Sequence, residues 1–201
     1  MEFFHVTHGS DSEFLNVGKE VVISKNRLNH FYENTMNGAN SFGLSENESM
    51  PIIKFFDSIL LGELDSHSEF KNYKNIASYA KAFMEIYIKQ VRELHFESIR
   101  KEEFSSLPSR KHCIWLAKNH DDAYYWVKRL GGGKENKRII RIKILDGVPF
   151  ETNEGHLQYD SEPTTKILER ARQYWKGEPS DGRNEFLFEG KFKILEILRT
   201  Q

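Results

Sequence analysis

The chain reads as an α+β protein forming one domain over residues 1–201, with a helical insertion at about 28–106. Three observations carry this reading. Both ends hold short runs rich in aromatic and β-branched residues, FFHVTH at 3–8 and NEFLFEGKFKI at 184–194. The segment RIIRIKIL at 138–145 alternates with period two, as a half-buried strand does. Between them, Ile76, Tyr79, Ala80, Phe83, Ile86, Tyr87, Val91 and Leu94 recur every three or four residues, which predicts an amphipathic helix over Tyr73–Arg100.

The remaining elements follow in order. Gly9-Ser10-Asp11-Ser12 predicts a turn after the first strand, and Lys19–Ile23 a short second strand. Residues 28–49 are rich in Asn, Gly and Ser without a clean period, which predicts loop and short helix; Ile52–Leu61 is apolar and suits a short helix. Pro108 ends the helical region. His112–Ala117 (HCIWLA) has a buried-strand pattern, and Asn119 then caps a helix over His120–Leu130. Gly131–Gly133 predicts a turn into the alternating strand, and Asp146-Gly147 another after it. Pro163 suits the first turn of a helix reaching Trp175. NEFLFEGKFKILEIL closes the chain as two strands around a Gly turn, a hairpin that opens with a carboxylate, Glu185, close to Arg183.

Composition narrows the class. With 201 residues, 38% hydrophobic and 13% aromatic, the chain can bury a sizeable core and is not expected to be disordered. A lone cysteine, Cys113, excludes an internal disulfide and fits a reducing compartment. The N-terminus is acidic and lacks a secretory apolar run, and no window reaches the ~20 apolar residues of a membrane span, so a soluble cytoplasmic protein is expected. The net charge of -1 hides an asymmetry: residues 1–70 hold 4 Lys/Arg against 11 Asp/Glu, and residues 101–150 hold 11 against 6. Residues 128–143 carry seven positive charges and one negative, a patch that can meet phosphates or be a solvated hairpin.

Several motifs fail on context. The triple glycine follows a helix and precedes a strand, and no Ser or Thr follows Lys134, so it is no P-loop. His5, His8, His112 and Cys113 lack metal-ligand spacing, and no metal is expected. His5, His8, His30 and His120 are scattered, although His5 with His8 or His120 leaves a metal-free ribonuclease as an alternative.

Three segments carry more meaning together than apart: Phe4-His5-Val6-Thr7; Ile114-Trp115-Leu116-Ala117 with Ala123-Tyr124-Tyr125; and Glu185-Phe186-Leu187-Phe188 with Gly190 and Phe192-Lys193-Ile194. In that order they resemble the signature strands of the ADP-ribosyltransferase superfamily, in its diphtheria-toxin and poly(ADP-ribose) polymerase branch. Pro108-Ser109-Arg110 and Tyr174-Trp175-x-Gly177 are further similar to an uncharacterised bacterial group within it. The chain departs from the pattern where Val6 replaces a Gly and Trp115 a Tyr.

The resemblance implies split antiparallel sheets and mono-ADP-ribosyl transfer from NAD to a macromolecule. Glu185 would be catalytic, Trp115 and Tyr125 would stack on nicotinamide, and His5, Val6 and Thr7 would line the NAD site. Arg27 or Arg110 would pair with the pyrophosphate. Arg138 and Arg141, in the basic stretch, favour a nucleic acid, RNA foremost, over a protein acceptor. A bacterial toxin or phage-defence role would bring an antitoxin partner. A degenerate protein that only binds a partner is the other alternative. Taken singly, Trp115 and Tyr125 suit a core, and Glu185 a surface strand.

Overall fold

A computed structural model describes residues 1–8, 14, 16–37, 41–45, 48–130, 137–158 and 162–199. The turns expected at Gly9–Ser12 and Gly131–Gly133 lie outside them. The described elements are β1 (Glu2–His8), β2 (Glu20–Ile23), α1 (His30–Asn37), β3 (Ser41–Ser45), β4 (Glu48–Pro51), α2 (Ile52–Leu60), α3 (Tyr73–Glu103), β5 (Ile114–Leu116), α4 (His120–Arg129), β6 (Lys137–Asp146), β7 (Phe150–Asn153), α5 (Thr164–Lys176), β8 (Asn184–Phe188) and β9 (Gly190–Arg199).

The fold is α+β with antiparallel sheets. A four-stranded sheet runs β1-β6-β9-β2 and a three-stranded sheet β5-β8-β7, with β3-β4 as a separate pair. The two larger sheets face each other through Phe3, Ile140, Ile142, Phe192 and Ile194 on one side and Ile114, Leu116, Phe186 and Phe188 on the other. The outer face of the four-stranded sheet is covered by α4, where Ala123 and Val127 meet Phe4, Val6 and Ile139. The outer face of the three-stranded sheet is covered by α3 and α5 through Phe96, Ile99, Tyr174, Trp175 and Leu187. Backbone bonds between Phe4 and Ala117, 2.9 and 2.7 Å, stitch β1 to the end of β5.

The expected C-terminal hairpin is corrected. β8 and β9 are consecutive but do not pair: β8 lies between β5 and β7, and β9 between β6 and β2. The reason is burial on both faces. Glu185, Phe186, Leu187 and Phe188 are all buried, so β8 must be a central strand with cover above and below; in a two-stranded hairpin one face would stay wet. Gly190 makes the switch at φ +145°, and its position faces the backbone of Asp146 and Gly147 too closely for a side chain.

The insertion also differs from expectation. Within 28–106 the β3-β4 pair joins the helices, and Phe42 stacks on Phe55 with ring centroids 3.9 Å apart. Its Asn- and Ser-rich text hides the pattern, because one apolar cluster around Phe42, Phe55, Leu64 and Phe70 anchors the whole segment. α3 runs 31 residues from an Asn72 cap, and only its first half belongs to this cluster, through Tyr79. Its second half is part of the main core. There Tyr87 and Leu94 are exposed, while Arg92, Glu93, Phe96, Glu97, Ile99 and Arg100 are buried.

Candidate functional site

A cleft of about 670 Å³ opens where β1 approaches β5, lined by His5 and Val6 from β1, Trp115 from β5, Arg27 and Phe31 around the start of α1, and Glu185 from β8. That volume lies within the usual range for small-molecule sites, roughly 300–1,000 Å³.

Strand alternation aims Glu185 at the helical layer, on the same side of β8 as Leu187. The carboxylate is buried and is held through one of its oxygens. Its Oε1 accepts from Arg110 Nη1 at 3.0 Å and from the Tyr174 hydroxyl at 2.5 Å. Arg110 turns its Nε and Nη2 to Glu93 of α3, at 2.9 and 3.1 Å, and Glu93 takes a second guanidinium from Arg92 at 2.8 Å. Burying any one of these charges alone would cost several kcal/mol (on the order of 3–5), so each needs the others. Glu93 receives two guanidinium groups, and although burial opposes ionisation, Arg110 and Arg92 hold its carboxyl down at about 2. Glu185 shares only one, and burial pushes it above the usual carboxylate value against the pull of Arg110 and Tyr174.

The segment 108–110 is built to present Arg110. Ser109 N donates to Glu189 Oε1 at 2.6 Å and its hydroxyl to Glu97 Oε2 at 2.9 Å, while Arg100 holds Glu97. On the other flank, the turn before Glu185 is pressed onto the 3-10 turn Glu154–His156. Asn153 Nδ2 donates to Gly182 O at 2.9 Å, and a Cβ added to Gly155 would fall 2.8 Å from Gly182 N.

The structure brings together His5, Val6, Arg27, Arg110, Trp115 and Glu185 on one cleft. His5 Nδ1 lies 2.8 Å from the Trp115 carbonyl; since a carbonyl only accepts, Nδ1 carries the proton. Trp115 meets Phe31 edge to face at 5.2 Å. Other residues sit elsewhere. Thr7 is buried opposite Arg138 in the β1-β6 register and is not a lining residue. Tyr125 is also outside the lining, and its hydroxyl donates to Glu154 Oε1 at 2.6 Å; the neighbouring Trp126 reaches the cleft instead. Arg110 does line the cleft, but its Nε, Nη1 and Nη2 all donate to Glu93, Tyr174 and Glu185. Arg141 pairs with Glu2 at 3.0 Å and Glu196 at 3.1 Å across neighbouring strands, and Arg138 Nη1 donates to Lys137 O at 2.6 Å. Both are set within the four-stranded sheet, and most of the glycine-lysine stretch between α4 and β6 lies outside the described residues. Cys113 is buried with its thiol pushed well above its ordinary value by burial, and among the described residues no group of three or more His, Cys, Asp or Glu side chains is placed to hold a metal.

The parts that Glu93, Tyr174 and Glu154 take in the buried network and the cleft wall do not follow from the sequence alone. Glu93 continues the helical stripe from Ile86 at i+7, with Glu97 and Arg100 following at i+4 and i+7. Charged residues on an apolar stripe are the signal, because they are tolerated there only when paired. Tyr174 sits in the Tyr-Trp pair before Gly177, and its contact with Glu185 emerges once α5 packs on β8. Glu154 has no local signature and reaches the cleft by the β7-β8 register.

The profile of a family described as a protein of unknown function, DUF2441, matches residues 3–200, so the chain belongs to that family. No curated protein matches the chain.

Proposed function

We propose that this DUF2441 protein is an NAD-dependent mono-ADP-ribosyltransferase, moving ADP-ribose from NAD to a macromolecular acceptor. The observation that carries the reading is Glu185, a buried carboxylate at a strand start, held by Arg110 and Tyr174 on a cleft that also presents His5 and Trp115. Cleaving the nicotinamide–ribose bond builds positive charge on the ribose, as glycoside cleavage does. A carboxylate fixed in advance stabilises that charge without reorganising at the moment of reaction, which is the largest single source of rate in such sites. Trp115 and Phe31 offer flat apolar faces for the nicotinamide ring. Of the two arginines expected at the pyrophosphate, Arg27, exposed on the cleft, is the one assigned to it in this proposal.

Within the basic stretch 128–143, the exposed Lys128, Arg129 and Lys143 are the reason RNA is proposed over protein as the acceptor, while Arg138 and Arg141 are engaged within the sheet. A toxin or phage-defence role with a neutralising antitoxin, acting in the cytoplasm, completes the proposal. Among the described residues no helix is long and apolar enough to cross a membrane. The test is incubation with adenylate-labelled NAD and whole-cell lysate, followed by nuclease or protease. Label that nuclease removes identifies nucleic acid, and label that protease removes identifies protein. A chain that neither binds nor consumes NAD refutes the proposal, and RNA cleaved without NAD supports a ribonuclease instead.

A further inference from the structure

We infer that Glu154 is a second catalytic carboxylate of this cleft, the group that takes the proton from the acceptor as it attacks the ribose. The inference rests on the transferase reading and deepens it. Pairing of β7 with β8 sets Thr152 opposite Glu185 and Asn153 opposite Asn184, and Glu154 N donates to Arg183 O at 3.0 Å just beyond. Glu154 thus follows β7 directly, as the first residue of the 3-10 turn packed against the segment that leads into Glu185. Both carboxylates line the cleft, and Glu154 is close enough to oppose the ionisation of Glu185.

The two oxygens of Glu154 are used differently. Oε1 accepts from the Tyr125 hydroxyl at 2.6 Å and from Arg183 N at 3.2 Å, and neither residue lines the cleft. Oε2 faces Arg129, which does line it, at 3.1 Å. One oxygen is thus anchored behind the wall and the other is presented at the wall, with a lone pair beyond the one Arg129 takes.

The reaction requires such a group. The bond from the ribose C1′ to the nicotinamide nitrogen breaks, and nicotinamide leaves neutral with the electron pair. A bond forms from C1′ to the acceptor oxygen or nitrogen, and the acceptor's proton must go to a base. Glu185 must stay ionised to stabilise the ribose charge, and taking up the acceptor's proton would remove that charge, so a second carboxylate on the cleft is the group to serve as base.

The test uses the full chain with adenylate-labelled NAD and total RNA or total protein from a lysate, with Glu185→Gln as the inactive control. Glu154→Gln keeps an oxygen for Tyr125 and Arg183 but cannot take a proton. Labelling should fall by about 10²-fold or more, with NAD affinity and melting temperature at the parent's values. Activity should recover with rising pH, as the acceptor ionises unaided. Should Glu154→Gln not fold, Glu154→Asp is read instead: it should lose rate while keeping the parent's pH profile. Labelling by Glu154→Gln at the parent's rate overturns the inference. So does a loss that tracks weaker NAD affinity or a lower melting temperature, which reduces Glu154 to a clamp for Tyr125, Arg129 and Arg183. A parent chain that binds no NAD and labels nothing overturns the transferase reading itself and this role with it.

Discussion

Arg110 Nη1 donates to Glu185 Oε1 at 3.0 Å, joining residues 75 positions apart, and both side chains are buried. The guanidinium divides itself between two carboxylates, Glu185 on β8 and Glu93 on α3, so one charge fixes the site to the helical layer. The arrangement makes Glu185 rigid, and rigidity is what electrostatic catalysis requires of it.

Glu185→Gln should therefore fold and bind NAD nearly as the parent does, because Gln preserves an oxygen for Arg110 and Tyr174. Transfer should fall by about 10²-fold or more. Glu189→Gln is the control: Glu189 accepts from Ser109 N rather than from Arg110 or Tyr174, so its change should lower the melting temperature more than the rate. The reverse outcome in paired rate and melting measurements would place the catalytic carboxylate at Glu189.

Tyr174→Phe removes a donor from Glu185 and leaves the ring packing on Phe96 and Trp175. Its hydrogen bond favours the ionised carboxylate, so its loss should move the acid limb of the rate profile to higher pH. An unmoved limb in a rate-against-pH series would show that a group other than Glu185 sets it.

Glu93 gives a stability signature with a definite sign. Its folded value, about 2, lies below the ordinary 4.5, so its contribution is complete above pH 4.5 and is lost as pH falls towards 2. The size is on the order of 3 kcal/mol. Glu185 is raised and acts oppositely: its contribution is complete below the ordinary value and is lost as pH rises through the raised one. Denaturant unfolding between pH 2 and 5 should show the parent losing stability on acidification, with Glu93→Gln weaker at neutral pH and flatter across this window. A parent curve flat over that range would contradict the pairing.

Trp115 and Tyr125 should now behave differently. Trp115→Ala removes an aromatic face from the cleft and should weaken NAD binding by about 1–3 kcal/mol. Tyr125→Phe should leave NAD affinity intact, since its hydroxyl serves Glu154 behind the wall. Calorimetric titration of the two variants checks this; equal losses would move Tyr125 into the nicotinamide site.

The secondary structure was largely legible because its causes are local. The period of RIIRIKIL, the Asn119 cap, the proline at the start of α5 and the spacing along α3 each act over a few residues, and the corresponding elements form. The place of Glu185 at the start of β8 was legible for the same reason. Which strands pair is a different matter. β8 and β9 look like a hairpin in the text, and they part because each carries apolar residues on both faces and gains more as the centre of a covered sheet. The partners of Glu185 depend on packing over still longer separations. Arg110 reads as an ordinary cation until α3 brings Glu93 beneath it. Glu154 reads as a loop carboxylate until the β7-β8 register carries it to the cleft. Periodicity reports which face of a segment is buried, but the identity of the burying group is set by the summed geometry of sheets and helices, in which a buried charge persists only where an opposite one arrives to meet it.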